Sequence, residues 1–142
     1  IETAIKNELP ILIHVRDAFE ETYEIISEHK SELKTVLIHC FTGDDEYAEK
    51  FINLDCYFSI TGIITFKNAE KLRSTIKKLP KNKIFFETDA PYLTPVPMRG
   101  EINKPSLLRH IIEYYCELTK EDFSNIANIS TKNYERFISC QP

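Results

Sequence analysis

The chain has 142 residues, of which 42% are apolar and 28% are charged, and its formal net charge is −4. This composition is typical of a soluble globular domain, and no apolar run approaches the ~20 residues that a membrane span requires. The mild acidity argues against a strongly basic nucleic-acid-binding surface. We therefore expect a single domain over residues 1–142, with no second domain and no membrane partner.

The four cysteines, Cys40, Cys56, Cys116 and Cys140, are far apart in the sequence and form no CxxC pair. This spacing disfavours a thiolate zinc site. Free, buried thiols in a reducing compartment are the simplest interpretation. The cysteines therefore favour a cytoplasmic protein without disulfides.

The first half of the chain alternates apolar runs with helical patterns. Residues 10–15 (PILIHV) have the length and branching of a buried strand. Asp17 is the predicted cap of a helix that extends to about Lys30. A second apolar run at 35–41 is followed by a turn and cap at 42–45 and then by the next helical stripe, Tyr47, Ala48, Phe51 and Ile52.

The second half continues the same alternation. A third apolar run covers 57–63, a helix is predicted from Asn68 to Pro80, and a fourth run covers 83–89. Three further helices are predicted. The first has an apolar face formed by Leu107, Leu108, Ile111, Ile112 and Tyr115. The second is a short helix that holds Phe123 and Ile126 and follows a capping box at 119–122, and the last contains Tyr134, Phe137 and Ile138.

Strands that alternate with helices predict an α/β fold with a parallel sheet covered by helices. The spacing of the four units is close to the roughly 30 residues that one βα unit requires. A complete (β/α)8 barrel of the TIM type takes about 250 residues. Four units in this chain therefore fit either half of such a barrel or a small open, doubly wound sheet.

Three of the four apolar runs end in residues that can bind metals, namely His14, His39 and Asp89. Because a parallel sheet places its chemistry at the carboxyl ends of its strands, these side chains are candidates for one Zn²⁺, Mn²⁺ or Fe²⁺ site. Metal-bound water would then act as a nucleophile at neutral pH. Glu87, two positions before Asp89, would orient a ligand or water. The alternative is that these are ordinary polar residues at strand ends and in a turn.

Cationic and amide side chains follow the same strand ends. Arg16 comes two residues after His14, and Arg99, Asn103 and Lys104 lie in the loop after Asp89. Around a metal centre they would hold an anionic substrate such as a phosphate. The alternative interpretation is that they are simply solvated loop residues.

Four segments together resemble the TatD family of metal-dependent deoxyribonucleases, over nearly the whole chain: LPILIHVRDA, VLIHCFTG, YFSITGIITFKNA and FFETDAPYLTPVPMRGEINKP. The resemblance implies a (β/α)8 barrel with divalent metal ions (Mg, Mn or Zn), two of them in the complete enzyme. It also implies hydrolysis of phosphodiester bonds in DNA, with DNA as the binding partner.

The same resemblance assigns roles to individual residues. His14 and His39 match the metal-binding histidines after the family's fifth and sixth strands. Asp89 matches the metal-binding aspartate after the eighth strand, which also positions or deprotonates the attacking water. Glu87 matches the acid that precedes it. The substrate-facing positions of the family motifs match Arg16, Arg99 and Asn103.

The sequence departs from the family pattern at its beginning. It contains no His-x-His pair, which in the family follows the first strand, and its own first strand corresponds to the family's fifth. The chain therefore resembles the carboxyl-terminal half of such an enzyme. We expect it to associate with itself or with the missing amino-terminal half, and to be weakly active alone. Two alternatives stay open: another metal-dependent hydrolase that cleaves an ester or amide, and a non-catalytic remnant or interaction module.

Overall fold

A four-stranded parallel sheet forms the centre of the computed structural model, which describes residues 1–140. The strands are β1 (Ile11–His14), β2 (Val36–His39), β3 (Tyr57–Ile60) and β4 (Ile84–Phe86), and they lie in the sheet in chain order. Because parallel crossovers are almost always right-handed, this order places the connecting helices on one face. A doubly wound sheet needs a reversal of strand order, which β1–β4 do not have.

Within residues 1–140, six helices accompany the sheet. They are α1 (Glu2–Lys6), α2 (Phe19–Glu28), α3 (Asp45–Asn53), α4 (Glu70–Ile76), α5 (Leu108–Thr119) and α6 (Phe123–Ile138). Shorter 3₁₀ turns cover Gly62–Thr65, Lys81–Lys83 and Pro105–Leu107. The sequence patterns predicted α2 to α5 as single helices and α6 as two shorter ones, but they did not predict α1, which is only five residues long.

The two faces of the sheet bury different residues, because successive side chains of a strand point to opposite sides. On the helix-covered outer face, Ile38, Phe58 and Ile84 are completely buried against helix residues. On the inner face, Leu37, Tyr57 and Phe85 form a second cluster with Phe137 from α6. The carbonyl of Phe137 accepts a hydrogen bond from Thr35, just before β2, so α6 closes the amino end of the inner face.

Two predicted helix starts are wrong by one or two residues, whereas a third is confirmed. Asp17 does not cap α2: it adopts a left-handed conformation with φ 54°, and Ala18 is the N-cap. The helix predicted from Asn68 begins at Glu70. Asp44 does cap α3 by accepting a hydrogen bond from the Tyr47 amide at 3.1 Å.

The predicted capping box at 119–122 and the two short helices after it are also wrong. Thr119 is the last residue of α5, and its hydroxyl donates back to the carbonyl of Tyr115. The cap is instead Asp122, which accepts from the amide of Asn125 at 2.9 Å. Since neither Gly nor Pro interrupts the following residues, a single helix continues through 16 residues to Ile138.

Replacing Asp122 with Ala is expected to lower the free energy of unfolding by about 1 kcal/mol, because the amide of Asn125 loses its partner. Asp122→Asn retains an oxygen acceptor and should stay close to the unmodified chain. Urea denaturation followed by circular dichroism measures both. Equal losses for the two variants would contradict the assignment of the cap.

The cysteines are free thiols, as the sequence predicted, although only Cys56 and Cys116 are buried and Cys40 and Cys140 are partly exposed. Burial raises the pKa of the Cys56 thiol to about 12, so this side chain is neutral at physiological pH.

Within residues 1–140, the helices are all too short or too polar to cross a membrane.

Candidate active site

Polar side chains replace apolar ones at the carboxyl end of the inner face. His14 and His39 are register partners on β1 and β2, and Ser59 lies on the inner face of β3. Glu87 directly follows β4, and its backbone amide donates to the carbonyl of Ile60. The parallel register therefore brings residues that are far apart in sequence to one edge of the sheet.

The imidazole of His39 lies between two carboxylates. Its Nδ1 atom is 2.8 Å and 2.9 Å from the two oxygens of Glu87, while Nε2 is 3.7 Å from Oδ1 of Asp89. The ring of His14 lies 5.5 Å away, centre to centre. Since a carboxylate can only accept, Glu87 accepts from Nδ1–H, and Nε2 is the ring nitrogen that faces Asp89. The structure thus brings together His14, His39, Glu87 and Asp89.

The loop that carries Asp89 is held in place by Asn103. The Asn103 side chain is only 3% exposed, and its amide nitrogen donates to the carbonyls of Thr88 and Tyr92, on either side of Asp89. Its amide oxygen accepts from the backbone of Lys104. These bonds occupy the amide of Asn103, which the sequence analysis assigned to substrate binding. It positions the loop.

Gly62 allows this loop to approach the turn after β3, a role that the sequence did not indicate. A Cβ atom at Gly62 would lie 2.1 Å from the carbonyl oxygen of Leu93, so only glycine fits there. The neighbouring Thr65 hydroxyl accepts from the amide of Val96 at 2.9 Å. The Asp89 loop is therefore docked on the Gly62–Thr65 turn at two points.

The two arginines occupy different places. Arg16 is exposed and lines a cleft of about 490 Å³ together with His14, Cys40 and Asp89. Arg99 instead lies over the ring of Phe66, 4.0 Å from its centre, and donates to the carbonyl of Thr94. Arg16 is therefore the arginine positioned at the cleft, while Arg99 stacks on the ring of Phe66.

Cys40 also lines the cleft, but it is not an activated nucleophile. Burial raises the pKa of its thiol, and the nearby carboxylates of Glu87 and Asp89 add to this effect, against an opposing hydrogen bond from Thr61. The thiol therefore stays protonated at neutral pH.

The donor atoms fit one side of a divalent metal site. Within residues 1–140, no group of three or more His, Cys, Asp or Glu side chains is arranged so that it could hold a metal ion by itself. The 3.7 Å between His39 Nε2 and Asp89 Oδ1 is compatible with two ligands at about 2.1 Å from one ion. A carboxylate on the second nitrogen, here Glu87, is typical of metal-binding histidines. His39 and Asp89 are therefore the two residues whose spacing would allow them to share one ion.

A parallel α/β sheet whose ionisable residues meet at the carboxyl edge is the architecture of the barrel-type enzymes. Residues 1–139 match the family model described as TatD related DNase. The chain belongs to the TatD family.

Relatives and solved structures agree with this assignment. An uncharacterized metal-dependent hydrolase of Buchnera aphidicola is 43% identical over 94% of this chain and 51% of its own length. The uncharacterized metal-dependent hydrolase YabD of Bacillus subtilis is 41% identical over 90% of this chain and 50% of its own length. A TatD homologue from Escherichia coli K12 superposes with a TM-score of 0.90 at 28% identity, over 97% of this chain and 53% of that structure. The chain thus spans about half the length of the relatives it matches.

Proposed function

We propose that this chain contributes the carboxyl-terminal half of a metal-dependent phosphodiesterase of the deoxyribonuclease type. The observation that carries the proposal is the His39 imidazole, which has Glu87 on Nδ1 and Asp89 facing Nε2 at the carboxyl edge of the sheet. The name of the matched family supports DNA as the substrate.

The half-barrel proposal is supported by the strand order and by the length of the relatives. Four sequential parallel strands are half of the eight in a barrel, and the matched E. coli structure is about twice as long as this chain. Along β1, Leu12 is 59% exposed on the inner face, and the neighbouring Leu9 and Ile25 are also exposed. In this proposal, the other half covers that edge and supplies the remaining metal ligands.

In the proposed mechanism, His14, His39 and Asp89 would hold a divalent cation, which would supply a lowered pKa of water and neutralisation of charge on the phosphate. Glu87 accepts from Nδ1–H of His39 and so keeps the Nε2 lone pair directed at the cleft. The carboxylate of Asp89 orients the attacking water and accepts its proton. Arg16, at the cleft, pairs with the phosphate of the substrate, and Asn103 keeps the Asp89 loop in position.

The test of this function uses the chain with and without an amino-terminal half. We expect the chain alone to associate in sedimentation velocity as its concentration rises, because the β1 edge is apolar and unpaired. Alone, it should degrade a fluorescent single-stranded oligonucleotide weakly or not at all with Mg²⁺, Mn²⁺ or Zn²⁺. Co-expression with the amino-terminal half of YabD should produce a complex that binds metal and cleaves the oligonucleotide.

Several outcomes would contradict the proposal. A compact monomer at all concentrations would argue against the unpaired edge. Hydrolysis of nitrophenyl ester or anilide substrates without cleavage of DNA would favour a different metal-dependent hydrolase. A stable complex that binds no metal in calorimetry would indicate a non-catalytic remnant.

A further inference from the structure

Ser59 is a buried polar residue within the inner face of the sheet, next to the candidate site. It is 1% exposed and lies in the middle of β3, a strand whose four residues are all buried. Its neighbour on the same face, Tyr57, belongs to the apolar cluster at the amino end. A buried hydroxyl at such a position requires hydrogen-bond partners, and the identity of those partners indicates its role.

The two hydrogen bonds of this hydroxyl involve the Glu87 carboxylate and the backbone amide of Cys40. The Ser59 hydroxyl donates to Oε1 of Glu87 at 2.6 Å, a distance typical of a charge-assisted hydrogen bond. It also accepts from the backbone amide of Cys40 at 2.8 Å, and the same amide lies 2.9 Å from Oε1 of Glu87. Ser59, Cys40 and Glu87 thus form a closed triangle.

The triangle spans three strands. Cys40 follows β2, Ser59 belongs to β3, and Glu87 follows β4. Cys40 has a left-handed backbone conformation with φ 47°. The carboxylate that receives these two donors is the one that also contacts Nδ1 of His39. The orientation of the His39 ring therefore depends on where the Ser59 hydroxyl holds Glu87.

We propose that Ser59 is a positioning residue that fixes Glu87 against Nδ1 of His39 and thereby selects the His39 tautomer whose Nε2 faces Asp89. Without the hydroxyl, Oε1 of Glu87 loses a buried donor, and the carboxylate can rotate away from the ring. His39 then exchanges between its two neutral tautomers. The effect of Ser59 on metal binding rests on the proposed function, whereas the preference of His39 for one tautomer does not.

The test uses metal-free protein labelled with ¹⁵N-histidine, at a pH where the imidazoles are neutral. In the unmodified chain, the NMR spectrum of His39 should show a protonated Nδ1 and an unprotonated Nε2. Ser59→Ala should shift both resonances towards averaged values, since the second tautomer becomes populated. Ser59→Thr keeps a hydroxyl on the same strand face and should retain the original pattern.

Thr75→Val is the matched control for the loss of a buried hydroxyl. The Thr75 hydroxyl is also buried and donates to a carboxylate, that of Asp45 at 2.7 Å, but it lies on α4. This variant should leave the His39 resonances unchanged. An unchanged His39 spectrum in Ser59→Ala, or equal changes in Ser59→Ala and Thr75→Val, would overturn the proposal.

A second measurement separates this proposal from the proposed function. In the complex with an amino-terminal half, Ser59→Ala should weaken Zn²⁺ binding in calorimetry by about 10–100-fold, the usual effect of losing a group that supports a metal ligand. A tautomer change without any metal binding in either protein would support the positioning role and contradict the metal-dependent function. Metal binding that is equally tight in both proteins would overturn the role of Ser59 at the metal.

Discussion

Replacing Asp89 with Asn is expected to reduce kcat for DNA cleavage by the two-chain complex about 10²–10⁴-fold. The amide cannot accept the proton of the attacking water, and it is a poorer ligand for a divalent cation than a carboxylate. Asn tolerates the left-handed conformation of Asp89, φ 55°, so the loop should keep its shape. Initial rates with a fluorescent oligonucleotide measure the effect.

Asp55→Asn is a suitable control because it makes the same chemical change in the same backbone conformation. Asp55 has φ 58° and pairs with Lys83, away from the cleft. We expect this variant to keep full activity. If Asp89→Asn retained most of its activity while both variants stayed folded, Asp89 would have no direct part in the chemistry.

Phe137→Ala is expected to cost about 3–5 kcal/mol of the free energy of unfolding, the largest stability effect we predict. The Phe137 ring is 4% exposed and packs edge-on against the rings of Tyr57 and Phe85, each at 5.5 Å. Those two rings are themselves stacked at 5.2 Å. Removing Phe137 opens a cavity and uncovers the amino end of the inner face. Chemical denaturation monitored by circular dichroism measures the loss.

Tyr134→Ala provides the comparison on the same helix. Tyr134 lies on α6, three residues before Phe137, and is 58% exposed. Its replacement should change the stability by no more than about 0.5 kcal/mol. Similar losses for the two variants would show that α6 is stabilised by its own helical propensity and not by the Phe137 contacts.

Element types were predictable because local chemistry determines them. The four strands are short, apolar runs with many branched residues, and the helices have apolar stripes of period 3.6. Helix starts were less predictable. Asp17, Asp44 and Asp122 are all chemically suitable caps, but only Asp44 and Asp122 have the extended backbone that directs the carboxylate at the first turn.

The residues of the candidate site could be predicted from the sequence as far as the ends of the strands could be. His14, His39, Glu87 and Asp89 lie at or just after the ends of their strands, so a parallel register necessarily brings them close together. The role of Asn103 in holding the Asp89 loop was not predicted, because its backbone partners, Thr88 and Tyr92, lie more than ten residues earlier in the chain, and hydrogen bonds across such a loop leave no mark in the local pattern.

The sequence by itself determined the strand-helix alternation, the family, and which ionisable residues lie at strand ends, because these depend on residue type and spacing along the chain. Only the tertiary structure decided that Ser59 contacts Glu87, that Gly62 must admit the Leu93 carbonyl, and that Phe137 closes the inner face. Contacts of this kind join residues 28–102 positions apart. They depend on how the helices and loops pack against the sheet, which no local pattern encodes.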